Sequence, residues 1–199
     1  MEKVLVLGNK GMLGHVLYRT FQSKENARKY DVIGINRSNE NSDTNSYTLD
    51  ALKLNELEKF ILSKQPKYIV NCIGSLVKAS NNRPSLAIQT NSLLPHFLNE
   101  ISEKYKFKLI HISTDCVFDG TKGMYKESDK KTETNYYGLT KNLGEINNDR
   151  NLTIRTSIIG PEIKLTTTGL FEWIISQKGN TVDGYSSAIW SGLTTIELA

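Results

Sequence analysis

The chain has 199 residues, 38% hydrophobic and 23% charged, enough for one domain of ordinary size and a little more, and unlike a disordered segment. Its net charge of +4 is mild and its lysines and arginines are scattered, which excludes a block built for nucleic acid or a membrane surface. Two cysteines, Cys72 and Cys116, make no disulfide framework; both lie in apolar, strand-like contexts and read as reduced, buried thiols of a cytoplasmic protein.

Val4–Leu7 reads as a buried strand, and because a strand, Lys3–Leu7, opens the chain, no signal peptide is expected. Met12–Phe21 reads as a helix with Leu13, Val16, Leu17 and Phe21 on one face. Val32–Ile35 is a second strand, Asn36–Ser46 a polar exposed loop, and Tyr47–Leu49 a short third strand. Asn55–Ser63 is a helix ending before Pro66, and Tyr68–Cys72 a strand. Pro84–Tyr105 is a long helical stretch that Pro95 is expected to kink. Lys108–Ser113 is a strand, Asn135–Asn147 a helix, Leu152–Arg155 a strand and Leu170–Ser176 a helix. No apolar run approaches ~20 residues, so no membrane span is expected. Alternating strands and helices, with continuous apolar strand runs, predict an α/β fold with a parallel sheet covered by helices on both faces. Gly192–Ala199 reads as the first turns of a helix, so the chain is expected to stop inside an element.

Gly8-x-x-Gly11-x-x-Gly14 follows a predicted strand and opens a predicted helix. Glycines allow the tight turn and let a pyrophosphate approach the backbone amides, and the helix N-terminus offers N–H groups to the phosphates. This predicts a dinucleotide site at Gly8, Lys10, Gly11, Met12, Leu13 and Gly14. Arg37 follows the second strand, where an acid would grip the ribose hydroxyls of NAD; an arginine suits a 2′-phosphate, so NADPH is expected, with NADH as the alternative.

Tyr137 and Lys141 sit four residues apart, on one face of a helix. At ~4 Å and an effective dielectric of ~20, their attraction is ~4 kcal/mol, enough to move a phenol from ~10 to near 7 and make it a proton donor. Thr114 is expected at a strand end, on the side of the sheet where ligands of open α/β folds bind. Asp115 and Asp119 flank that loop without a histidine or third acid spaced for a metal, so no metal is expected. His15, His96 and His111 fall on separate elements and read as structural, while Trp173 and Trp190 suit either the core or a substrate wall.

His111-Ile-Ser-Thr114-Asp115-Cys-Val-Phe-Asp-Gly120 and Tyr137-Gly-Leu-Thr-Lys141-Asn-Leu-Gly-Glu145, with the glycine turn, resemble the dTDP-4-dehydrorhamnose reductase family of extended short-chain dehydrogenases. Cys116 stands where that family usually has tyrosine. The resemblance implies a doubly wound Rossmann-type sheet. It assigns residues 1–160 to the NAD(P)-binding domain and 161–199 to the start of a substrate-binding portion, expected to be truncated. It implies that Thr114 bonds the reacting carbonyl, Tyr137 donates the proton, and Lys141 tunes Tyr137 and binds the nicotinamide ribose. It further implies that Asn71 and Gly74 lie beside the cofactor ribose, Asp50 near the adenine, and Asn91 behind the site. Asp115, Cys116 and Trp190 are the substrate-side candidates.

The activity so implied is NADPH-dependent reduction of a 4-keto-6-deoxy sugar nucleotide, in deoxysugar and cell-surface polysaccharide biosynthesis. The expected partner is that small molecule, not nucleic acid or membrane, with a homodimer as the assembly considered. Two alternatives stand. The regulatory subunit of methionine adenosyltransferase resembles the same family and would be a non-catalytic binding protein. An epimerase or dehydratase of the superfamily is the other, although Thr114-Asp115-Cys116 lacks the Asp-Glu pair that dehydratases place there.

Overall fold

The computed structural model describes residues 1–38, 43–163 and 169–199. Its main sheet comprises β1 (Glu2–Leu7), β2 (Tyr30–Asn36), β3 (Ser46–Thr48), β4 (Tyr68–Asn71), β5 (Lys108–Thr114) and β6 (Leu152–Thr156). The strand order is β3-β2-β1-β4-β5-β6 and every pairing is parallel. This is the doubly wound arrangement expected. β7 (Ile158–Ile159) and β8 (Leu193–Thr194) form a second, two-stranded parallel sheet.

The helices are α1 (Met12–Gln22), α2 (Leu54–Lys64), α3 (Val77–Asn82), α4 (Pro84–Ala87), α5 (Leu94–Lys104), α6 (Tyr136–Leu143), α7 (Leu170–Ser176) and α8 (Thr195–Leu198). Side chains alternate across each strand, so one run feeds two cores. Leu5, Leu7, Ile33, Ile35, Ile69 and Leu109 pack against α2 and α5 through Leu57, Ile61, Leu94 and Leu98. Val4, Val6, Val32 and Val70 meet Leu17 and Tyr18 of α1 on the other face. Each such buried side chain contributes about 1.5–3 kcal/mol, which secures the sheet. On α1, Val16 and Phe21 are only half-buried, and Tyr18, outside the predicted face, is buried instead.

Between α4 and α5 the chain makes a π-helical turn, Ile88–Leu93. Pro95 lies in the first turn of α5 and has no N–H to return to the Asn91 carbonyl, so it follows the irregular turn instead of interrupting a continuous helix. α6 ends at Gly144 rather than running to Asn147 as expected. Gly144 N–H closes on the Thr140 and Lys141 carbonyls, and a side chain there would collide with the Asn91 carbonyl oxygen. The expected exposed loop over 36–46 also needs correction: Asn36 and Ser46 are buried strand residues, and positions 39–42 lie outside the described residues. No helix among the described residues is long and apolar enough to cross a membrane.

Candidate active site

Strand order reverses between β1 and β4, and the loops leaving those two strands meet. Gly8 takes φ +82, a left-handed conformation that suits glycine, and a Cβ there would lie 3.0 Å from the Ile73 side chain of the β4 loop. A Cβ on Gly14 would stand 2.2 Å from the Gly8 carbonyl oxygen, so α1 can start this close to β1 only without a side chain there. Gly11 caps α1 with no side-chain hydrogen bond, leaving its N-terminal end to a ligand. Met12 and Leu13 form the first turn; Leu13 is buried, so it offers a ligand only its backbone.

Beneath the turn is a polar cluster that sequence reasoning missed. Asn9 Nδ2 donates to Ser46 Oγ at 2.9 Å, and Asn36 Nδ2 donates to Asn9 Oδ1 at 3.2 Å. Asn36 Oδ1 in turn accepts from the Ser38 N–H and hydroxyl, both at 2.9 Å, and Lys10 Nζ donates to Ser38 Oγ at 3.2 Å. The signal was present as asparagine and serine at strand ends, but pairing them needs the β2–β3 register.

A cavity of about 960 Å³ opens over these strand ends; Lys10, Arg37, Asp50, Gly74 and Ser75 are among its lining residues. Arg37 is exposed at the end of β2, and Asp50 Oδ1 accepts from the Leu52 N–H at 3.1 Å. Asn71 is wholly buried: its Oδ1 accepts from the Ile73 N–H at 3.1 Å and its Nδ2 faces His111 Nδ1 at 3.2 Å. Asn91, also wholly buried, accepts from the Ser75 N–H at 2.7 Å and donates to the Ser75 carbonyl at 3.1 Å and to Thr140 Oγ1 at 3.0 Å.

Thr114 ends β5 and turns the chain: its hydroxyl accepts from the Cys116 N–H at 3.1 Å and donates to Asp115 Oδ1 at 3.2 Å. Gly138 lets α6 approach this turn, because a Cβ there would lie 2.5 Å from the Cys116 carbonyl oxygen. Asn135 caps α6 by accepting from the Gly138 N–H at 2.9 Å. This packing sets α6 and Tyr137 beside the turn, and the Thr114 hydroxyl is one of the groups that act on the ionisation of the phenol.

The expected lysine-driven fall in the Tyr137 pKa is not what the geometry produces. Burial pushes the phenol above its ordinary value and outweighs the Thr114 hydroxyl, while Asp115 and Cys116 oppose ionisation further. Lys141, 4% exposed, donates to the Ile112 carbonyl at 2.6 Å and does not figure among the groups that act on the phenol. Burial lowers its own pKa to about 8, with Glu145 resisting. Glu145 follows α6 and holds Arg155 through both oxygens at 2.8 and 2.9 Å, Ser113 Oγ at 2.8 Å and Lys131 at 2.8 Å.

Cys72 is half-buried in accessibility and burial raises its pKa to about 12; Cys116 is exposed, not buried as expected, because it sits on the turn after β5. Asp115 is exposed beside it. Trp190 is half-exposed with its Nε1 donating to Ser157 Oγ at 2.7 Å, and Trp173 is exposed, so neither is core. His15 Nδ1 lies 2.9 Å from the Gly11 carbonyl and His96 Nε2 lies 2.7 Å from that of Leu143, so each ring serves a helix end.

The sequence matches the RmlD substrate binding domain over residues 1–161. The chain belongs to that family. A hypothetical dTDP-4-dehydrorhamnose reductase from Sulfolobus tokodaii is 30% identical with a TM-score of 0.83, covering 100% of this chain and 69% of that one. The dTDP-4-dehydrorhamnose reductase of Bacillus anthracis, solved in complex with NADP, shares the fold at 23% identity and a TM-score of 0.70, over 88% of this chain and 59% of that one. The probable low-salt glycan biosynthesis reductase Agl14 of Haloferax volcanii is 29% identical over 70% of this chain and 46% of its own length. Subunit beta of methionine adenosyltransferase 2 from Bos taurus is 32% identical over 72% of this chain and 42% of its own length. This RmlD-family chain therefore spans less than half the length of these curated relatives.

Proposed function

We propose that this RmlD-family chain carries the cofactor and proton-donor half of an NADPH-dependent reductase acting on a 4-keto-6-deoxy sugar nucleotide. The observation that carries the reading is that α6, which bears Tyr137, packs through Gly138 on the turn that Thr114 begins at the end of β5, in a sheet whose β1 end opens on the Gly8–Gly14 turn. The residues fit a dinucleotide: the turn is closed to side chains, the α1 end lacks a side-chain cap, and the adjoining cavity is about 960 Å³. Lys10 and Arg37 would hold its phosphates, Arg37 selecting the 2′-phosphate, with Asp50 toward the adenine. Bound there, the reduced nicotinamide supplies hydride.

Thr114 would hold the keto oxygen and Tyr137 would protonate it as charge develops. A raised phenol pKa suits donation: Tyr137 stays protonated at neutral pH, and Lys141 supplies positive charge near the ribose. We assign residues 1–160 to cofactor binding and 161–199 to the start of the substrate portion, with Trp190 of that portion and Asp115 and Cys116 of the turn after β5 on the substrate side. The work of such an enzyme belongs in the cytoplasm, where NADPH is available.

Tyr137→Phe is expected to reduce NADPH oxidation with a 4-keto-6-deoxy sugar nucleotide by about 10²-fold or more while NADPH still binds. Near-normal turnover by that variant would overturn the assignment. A second reading, a cofactor-binding subunit without turnover, is favoured by the likeness to subunit beta of methionine adenosyltransferase 2. Tight NADPH binding with no oxidation by the unaltered protein, and co-purification with a larger enzyme, would select it.

A further inference from the structure

Residue His111 lies in the middle of β5, wholly buried, and its ring is used by nothing in the proposed reaction. Its protonation follows from an obligate donor elsewhere. The Ile73 N–H can only donate, so the Asn71 atom facing it at 3.1 Å is the carbonyl oxygen. The Asn71 amino group then faces His111 Nδ1 at 3.2 Å, and Nδ1 must accept. The ring therefore carries its single proton on Nε2, which is buried with no hydrogen-bond partner among the described residues. The charged and titratable groups acting on the ring are Lys141 of α6, Glu145 just beyond it and His96 of α5.

We infer that His111 is a positioning residue: as the neutral Nε2–H tautomer it orients Asn71, and Asn71 pins the Ile73 amide and with it the loop after β4 that lines the cavity. The functional half of this inference rests on the proposed NADPH site. A protonated ring could not accept from Asn71 and would place a second cation near Lys141. Burial and the Lys141 charge oppose that state, lowering the His111 pKa to about 3.

Two variants separate positioning from bulk. His111→Gln keeps an acceptor for Asn71 Nδ2, whereas His111→Leu fills the space without one. Amide hydrogen exchange at Ile73 is expected to quicken about tenfold in His111→Leu and to stay within about twofold of the parent in His111→Gln, the difference one hydrogen bond makes. The NADPH dissociation constant follows the same order. Nitrogen-15 NMR of the unaltered chain is expected to show the Nε2–H tautomer, without titration, from about pH 5 to about pH 9.

A proton on Nδ1, titration above about pH 6, or equal Ile73 exchange in the two variants would overturn the inference. If His111→Leu does not fold, the parent tautomer and the Ile73 exchange of His111→Gln still decide it. Should the parent bind no NADPH, the cofactor reading fails by itself, and Ile73 exchange still judges the positioning role.

Discussion

The Lys141 ammonium donates to the Ile112 carbonyl at 2.6 Å, inside the fold and one strand residue from His111. A lysine so placed is destabilising. Its pKa of about 8 lies below its ordinary 10.5, so between those values the unfolded chain binds more protons and stability rises with pH. At neutral pH the whole penalty is present. Lys141→Met is therefore expected to raise unfolding free energy by about 2–4 kcal/mol at pH 7 and much less at pH 10.5, while weakening NADPH binding. Urea unfolding at the two pH values checks the first part; an equal gain at both would refute it.

At the glycine turn, the prediction is steric. Gly14→Ala puts a Cβ against the Gly8 carbonyl and both groups are backbone, so neither yields without moving β1 or α1. A loss of about 2–4 kcal/mol is expected, together with the loss of dinucleotide binding. Gly74→Ala, whose nearest neighbour would be Asn91 Oδ1 at 3.7 Å, is expected to leave the melting temperature nearly unchanged. Paired thermal melts compare them.

Cofactor choice is expected to rest on Arg37. It is exposed at the cavity, so its removal should cost little stability. Arg37→Ala should raise the KM for NADPH about tenfold or more and leave that for NADH within about twofold, since only the former has a 2′-phosphate. Equal changes for both cofactors would assign Arg37 no selective role.

Burial of the Glu145 carboxylate favours its neutral form, but Arg155, Lys131 and Ser113 prevail and keep its pKa below the ordinary value. Glu145→Ala strands Arg155 in a half-buried place and is expected to lower stability by about 3–5 kcal/mol. The double variant Glu145→Gln with Arg155→Gln should lose less than the sum of the singles. Strict additivity in a double-mutant cycle would show the pair to be uncoupled.

The strands of this fold were readable because parallel strands buried on both faces appear as unbroken apolar runs, as at Val4–Leu7. The turn from Gly8 to Gly14 was readable because glycine spacing reports backbone geometry directly. The Asn9–Asn36–Ser46 cluster was not: its members lie on β2, β3 and the turn, and only the register brings them together. Gly144 marks the end of α6, as a glycine after a helical run commonly does. The Tyr137–Lys141 spacing correctly gave a shared face, yet spacing says nothing about whether an ammonium reaches a phenol or a strand carbonyl. The backbone of β5 settled that.

Asn91 grips both the N–H and the carbonyl of Ser75 and, with the same amide, the hydroxyl of Thr140. One side chain thus ties the cavity wall at Ser75 to the helix that bears Tyr137. A ligand that shifted the Ser75 loop would pull, through Asn91, on Thr140, one residue before Lys141. In the proposed reductase, filling the cavity and aiming Tyr137 would be coupled, and a mutation on either side should be felt on the other.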